Sequence, residues 1–439
     1  MKSILLTLLI LAIAPIATGI CGEEKTSGIV CHSQVLLENQ INPDIPAVAK
    51  LWKEYLGSYP DSLYNNPHWN EADKARYTSY DLLRSEGYLH LYRQAATSGL
   101  DNLVLSIVPL TDNGDCYDIR SMFYWQNEQV PYVVAIVHVL ARKDERGEFK
   151  LANWLHWYSR EWQTKQVGLI TYHYYPGYRF DESKAKKANQ FLAMLRDKFE
   201  LPEEEVTVYI SPGWKETELL KGYDYTVAAT VVSDNSNLGG TTDIDNRIIY
   251  SNAVKGEFYE HELMRLVRNH FPQEMHRLFT NGIAEYYTED RMMRGVPLQE
   301  HFARLDRYLN EHPEIDLQEF DRFDAGNRAE PIYLVGLATV WLTLEKGGYD
   351  LLKRGMRTVS NNDDEMRRFF DRELGIPVDS IDRRLRELIH HFAVNGFEPA
   401  GHALWLGKKI RSSLPGRAKE SAKERVLVKQ IETEPVLLL

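Results

Sequence analysis

The sequence predicts an α+β protein: an antiparallel-sheet domain, then a domain in which a small sheet with helices gives way to a helical lobe. Three observations predict it. Residues 102–174 hold five segments rich in Val, Ile, Tyr and Trp, residue types that suit a pleated, half-buried surface. From Val254 onward apolar residues recur at helical spacing instead. Gly347-Gly348 and Gly375-Ile376-Pro377 then punctuate the helical half, because neither residue type continues a helix cleanly.

The ends come first. Lys2, the apolar run Ile4–Ala17 and the small residues Ala17-Thr18-Gly19 form a signal-peptide pattern over residues 1–19. Pro15 interrupts the run, which falls short of the ~20 residues a spanning helix needs. The mature chain is therefore expected in the periplasm, in the cell envelope or secreted, without a transmembrane segment. Cys21 follows directly, where a lipid anchor would attach; a Cys21–Cys31 disulfide is the rival reading. Residues 20–44 are polar and read as a flexible leader.

Residues 45–175 form the expected antiparallel α+β domain. Pro43–Tyr55 is an amphipathic helix with Ile45, Val48, Leu51, Trp52 and Tyr55 on one face. Tyr59–Arg76, rich in Pro, Asn and Asp, reads as loop. The strands expected are Asn102–Leu110, Ser121–Gln126, Val130–Arg142, Glu148–Arg160 and Gln166–Tyr174, with Asp144-Glu145-Arg146-Gly147 turning a long hairpin. Trp154, Trp157 and Trp162 read as core aromatics.

A boundary at Pro176-Gly177 opens the second domain, residues 176–400. Asp181–Phe199 is a strongly periodic helix closed by Pro202. Strands follow at Val206–Ile210, Tyr225–Val232 and Arg247–Tyr250, with Ser233–Asn246 as a polar loop whose Gly239-Gly240 reads as a simple turn. Helices are expected over about 254–271, 277–293, 298–311, 331–346, 350–358, 362–373 and 379–394. Residues 401–439 are a charged tail that ends apolar.

With 439 residues, 44% of them hydrophobic, the chain has room for two or three domains with a sizeable core. A formal net charge of -11 argues against nucleic acid as a partner, since phosphate binding needs a basic surface.

The chemistry-bearing stretch is His261-Glu262-Leu263-Met264-Arg265. In H-E-x-x-H, two His four residues apart share a helix face and hold Zn²⁺ while the Glu acts as general base. Here Arg265 takes the second imidazole's place, and a guanidinium cannot ligate a metal. The next helix carries Asn281-Gly282-Ile283-Ala284-Glu285-Tyr286, so Asn281 and Glu285 share one face able to approach His261. His270 lies nine residues from His261, on the opposite side of a continuous helix, so a His261/His270/His276 metal site is not expected. His390-His391 reads as ordinary helix histidine.

The order of these pieces resembles the gluzincin metallopeptidases of the peptidase MA-like group: an edge strand (Arg247–Tyr250), an H-E-x-x-H helix, an E-G-x-A-x-Y segment about twenty residues on, and a helical half. The resemblance covers roughly residues 165–400. It implies that His261 matches the first zinc ligand and Glu262 the general base, that Arg265 and Asn281 stand where the other two ligands belong, and that Tyr286 belongs to the cleft. Two of three protein ligands are therefore replaced. Without zinc, bound water is not pulled toward a pKa of ~7 and Glu262 has nothing to deprotonate. Arg265 is expected to supply the lost positive charge by pairing with Glu262 or Glu285.

Three readings follow. The first is a non-catalytic, exported peptidase-like protein with no cofactor, its cleft binding a peptide or protein partner. The second is an active zinc metallopeptidase with non-standard ligands, His261 and Glu285 among them. The third is an envelope peptide- or glycan-binding module that works through its aromatic N-terminal domain.

Overall fold

The computed structural model describes residues 29–32, 42–58, 65–85, 100–126, 130–226, 240–272, 274–287, 296–319 and 331–400. The expected signal peptide, Cys21 with its lipid anchor or disulfide, most of the leader and the tail 401–439 lie outside them. The fold is α+β, with an antiparallel sheet on the N-terminal side and helices in the C-terminal part. Along the chain the strands are β1 (Ile29–Cys31), β2 (Asp101–Pro109), β3 (Cys116–Gln126), β4 (Pro131–Lys143), β5 (Phe149–Ala152), β6 (Gln163–Val167), β7 (Ile170–Tyr174), β8 (Val206–Ser211), β9 (Tyr223–Thr226), β10 (Thr241–Asp243) and β11 (Ile248–Asn252). The helices are α1 (Ile45–Gly57), α2 (Glu71–Arg76), α3 (Leu82–Ser85), α4 (Trp154–Tyr158), α5 (Glu182–Phe199), α6 (Trp214–Lys221), α7 (Glu260–Arg265), α8 (Arg277–Tyr287), α9 (Leu298–Glu311), α10 (Pro331–Thr358), α11 (Asp363–Phe369) and α12 (Ile381–Asn395).

The chain divides into two compact units, residues 1–162 with 211–236 and residues 163–210 with 237–439. In the first, strand order is β1-β2-β3-β4-β5, with β9 also paired to β4. The β2 to β5 run is an antiparallel meander. Its last turn is closed by Asp144, whose Oδ1 accepts the N–H groups of Arg146 and Glu148. This local side-chain turn is what the Asp-to-Gly sequence encodes. Helix α1 buries all five predicted apolar residues, and Trp52 Nε1 donates to Ser121 Oγ at 3.1 Å.

Several expectations change in this unit: β1 lies within the expected leader, and β3 begins at Cys116 rather than Ser121. The strand expected over Glu148–Arg160 stops at Ala152, and α4 follows. Asn153 makes the break: its side chain bonds Asp73 and the Tyr80 carbonyl and accepts from Leu82 N–H. That spends its polar groups away from any ladder. The loop expected over Tyr59–Arg76 contains α2, capped by Asn70, whose side chain accepts from Asp73 N–H. The strand expected over Tyr225–Val232 is β9, Tyr223–Thr226, and it pairs with β4; residues 227–232 lie outside the described set.

In the second unit the order is β10-β11-β8-β7-β6. Strands β6 and β7, expected with the N-terminal sheet, belong here. β7 runs parallel to β8, joined through α5, a pairing that needs a helical crossover and that strand periodicity cannot reveal. Asp181 caps α5 by accepting the N–H groups of Ser183 and Lys184. The helix buries Ala185, Ala188, Phe191, Leu192, Leu195 and Phe199, the stripe its periodicity predicts.

The helical lobe forms one core with this sheet. Helix α9 matches its predicted bounds, and α10 breaks at Gly347 and Gly348 as their sequence predicts. The helix expected over 254–271 is shorter. Asn252 Oδ1 accepts the N–H groups of Val254 and Lys255, and Gly256 adopts φ +67. That Asx turn delays the helix to Glu260. After Arg265 the chain tightens into a 3-10 turn, Leu266–His270. Among the described residues no helix is long and apolar enough to cross a membrane.

Candidate functional site

The site is built where α7 meets α8 beside the edge strand β10. The delayed start of α7 puts His261 and Glu262 in its first turn. Glu262 is buried at 2% exposure. Its Oε2 accepts the Thr242 hydroxyl and lies 3.4 Å from Arg265 Nη1. The predicted pairing of Arg265 with Glu262 is thus present, one turn along the same helix. Arg265 remains 36% exposed on its side chain.

His261 sits between two carboxylates. Its Nε2 is 4.0 Å from Glu262 Oε1 and its Nδ1 is 3.9 Å from Glu285 Oε1. Neither separation is a hydrogen bond, and Nδ1 has no hydrogen-bond partner among the described residues. Burial, then the charges of Arg265 and Lys255, lower the His261 pKa from 6.5 to about 4. The ring is therefore neutral at pH 7.

Helix α8 brings Glu285, buried at 1%, to His261. Asn281, one turn earlier on the same face, is half-buried, and its side chain has no hydrogen bond among the described residues. Tyr286, which the resemblance assigns to the cleft, packs among buried residues. It is buried at 3%, and its hydroxyl accepts Ala400 N–H at 2.8 Å. Successive helix residues point about 100° apart, so a helix that turns Glu285 toward His261 turns Tyr286 into the core.

Gly282, read as part of the same segment, has a packing role. A Cβ there would fall 2.1 Å from the Gly336 carbonyl oxygen of α10. Gly282 and Gly336 let the two helix backbones touch, and this crossing sets how far α8 reaches toward α7.

The other histidines go elsewhere. His270 Nε2 is 3.3 Å from Glu204, and buried His276 pairs with Asp363 at 3.2 Å. His390 lies 3.0 Å from Asp306 on the surface. The three-His arrangement is not formed.

Thr242 is the site residue that the sequence did not reveal. It lay inside the stretch expected as the loop Ser233–Asn246, of which 241–243 is strand β10. Gly240, read as a simple turn, is a close approach: a Cβ there would fall 1.2 Å from the Tyr250 carbonyl oxygen. No local signal marks Thr242, since its partner is twenty residues away. Replacing Thr242 with Val keeps the shape and removes a hydroxyl that donates to Glu262 Oε2. A hydrogen bond to a charged group contributes about 1.5–3 kcal/mol, so Thr242→Val should lower unfolding free energy by about 1.5 kcal/mol in denaturant titrations. An unchanged midpoint would show that the Glu262 contact contributes nothing.

Zinc does not fit this donor set. A catalytic site takes three protein ligands and keeps one open position. Here one imidazole faces two acids, the Arg265 guanidinium lies against Glu262, and the Asn281 amide stands one turn before Glu285. Among the described residues no group of three or more His, Cys, Asp or Glu side chains is arranged to hold a metal ion. Searches of protein-family models and of curated proteins find no match to the chain.

Proposed function

We propose that the chain is an exported peptidase-like protein that has given up hydrolysis and uses its cleft to bind a peptide or protein segment. The observation that carries this reading is the Arg265–Glu262 contact. The residue in the general base's position spends its carboxylate on a fixed cation and a threonine. The carboxylate oxygen that would accept a proton is already engaged by both groups. What remains is a buried, preorganised polar cluster beside an edge strand.

The test is constructive. Protein purified without chelator should carry far less than one zinc per chain and leave peptides uncut. Arg265→His combined with Asn281→Glu should restore one zinc per chain, because both substituted positions lie on the faces that carry His261 and Glu285. Stoichiometric zinc in the unmodified protein would overturn the proposal in favour of an active enzyme with His261 and Glu285 among its ligands. A folded double variant without zinc would remove the peptidase relationship.

A further inference from the structure

We propose that Arg265 and Arg268 together clamp a carboxylate of the bound peptide; this deepens the peptide-binding reading and rests on it. The geometry begins with the change of helix type at Arg265. Helix α7 ends there and Leu266–His270 continues as a 3-10 turn capped by Arg265. In 3-10 geometry side chains three apart eclipse rather than fan out. Arg265 and Arg268 therefore leave the backbone on one side, one above the other.

Neither guanidinium is consumed by the fold. Arg265 makes one contact, to Glu262 at 3.4 Å, with its side chain 36% exposed. Four of its five N–H donors are left over. Arg268 is exposed, and among the described residues its side chain has no hydrogen bond or ion pair. Like charges at this spacing repel on a helix, a cost that an anion between them would reverse. Burial and the Arg265 charge both lower the Arg268 pKa, the direction expected of two cations held close. Lys255, its ammonium 5.4 Å from the centroid of the Tyr259 ring, adds positive potential at His261. Paired guanidiniums suit a carboxylate, whose two oxygens accept parallel N–H groups.

A peptide offers carboxylates from its C terminus or from acidic side chains. Three probes separate them: acetyl-pentaalanine with a free carboxylate, the same peptide amidated, and the amidated peptide with a central Asp. Binding to the full chain is measured at low and high salt. One or both carboxylate peptides should bind at least about tenfold more tightly than the neutral one, and salt should weaken that preference. Whichever of the two is preferred identifies the source. Arg268→Gln, at a side chain with no hydrogen bond or ion pair among the described residues, should erase the preference with an unchanged melting temperature, whereas Arg265→Gln should erase it and also lower the melting temperature, because buried Glu262 loses its cation. Equal binding of all three peptides, or a preference that survives Arg268→Gln, overturns the clamp and leaves the peptide reading standing. No binding of any peptide overturns both.

Discussion

Gly282→Ala should destabilise the protein by about 3 kcal/mol, the upper end for forcing extra volume into a packed interior. The added Cβ meets backbone on both counts, at 2.1 Å from the Gly336 carbonyl oxygen and 2.2 Å from its carbon. Backbone cannot change rotamer to make room, so α8 and α10 must separate. The gain in helix propensity from Ala, about 1 kcal/mol, offsets only part of that. Gly336→Ala should act the same way from the other helix, since its Cβ would come within 2.7 Å of the Leu278 carbonyl oxygen. Gly57→Ala is the control: no atom lies within 4 Å of its Cβ, and its midpoint should barely move. Urea unfolding of the three variants gives the comparison, and a Gly282→Ala midpoint equal to wild type would refute the described crossing. The consequence reaches the site, because α8 carries Glu285. A variant that folds should show the His261 environment altered, visible in its imidazole proton resonances.

Acid should destabilise the protein through His261, and His261→Gln should remove that sensitivity. The folded pKa is about 4 against an ordinary 6.5. Between those values the unfolded chain binds a proton that the folded chain refuses, so stability rises with pH across this window. Above about pH 6.5 the ring is neutral in both states and costs nothing. Below about pH 4 the full penalty applies, about 3 kcal/mol from that gap in pKa. Many carboxylates also titrate there, so the informative quantity is the difference between wild type and variant. Unfolding free energies measured from pH 7 to pH 4 should fall about 3 kcal/mol less for His261→Gln. Parallel pH profiles would mean that His261 titrates normally, unshifted by burial or by the charges of Arg265 and Lys255.

Much of the fold was legible because the signals are local. The α1 and α5 stripes follow from apolar residues at helical spacing, and the β4–β5 turn from Asp144 and Gly147. The α10 break follows from two adjacent glycines. Misreadings occurred where a side chain or a distant strand overrode the local pattern. Asn153 ended a strand by bonding Asp73 and Tyr80. Asn252 and Gly256 shortened a helix whose composition favoured a longer one. β6 and β7 joined the second sheet because β8 lies beside β7, more than thirty residues later in the chain.

At the site the division is similar. The pairing of Arg265 with Glu262 needs only a helix and a three-residue separation, so the sequence by itself determined that a cation stands against that carboxylate. It also determined that positions 265 and 281 hold side chains unsuited to zinc, since ligand capacity belongs to residue type. Which carboxylate faces His261 was decided only by the approach of α8, through the Gly282–Gly336 crossing. The same rotation sent Tyr286 to the core. Thr242 reached Glu262 because β10 borders α7, and the eclipsed arginines arose because packing tightened the helix after Arg265. Each of these depends on one element's position against another, and residue order constrains such positions only through the energies of the assembled core.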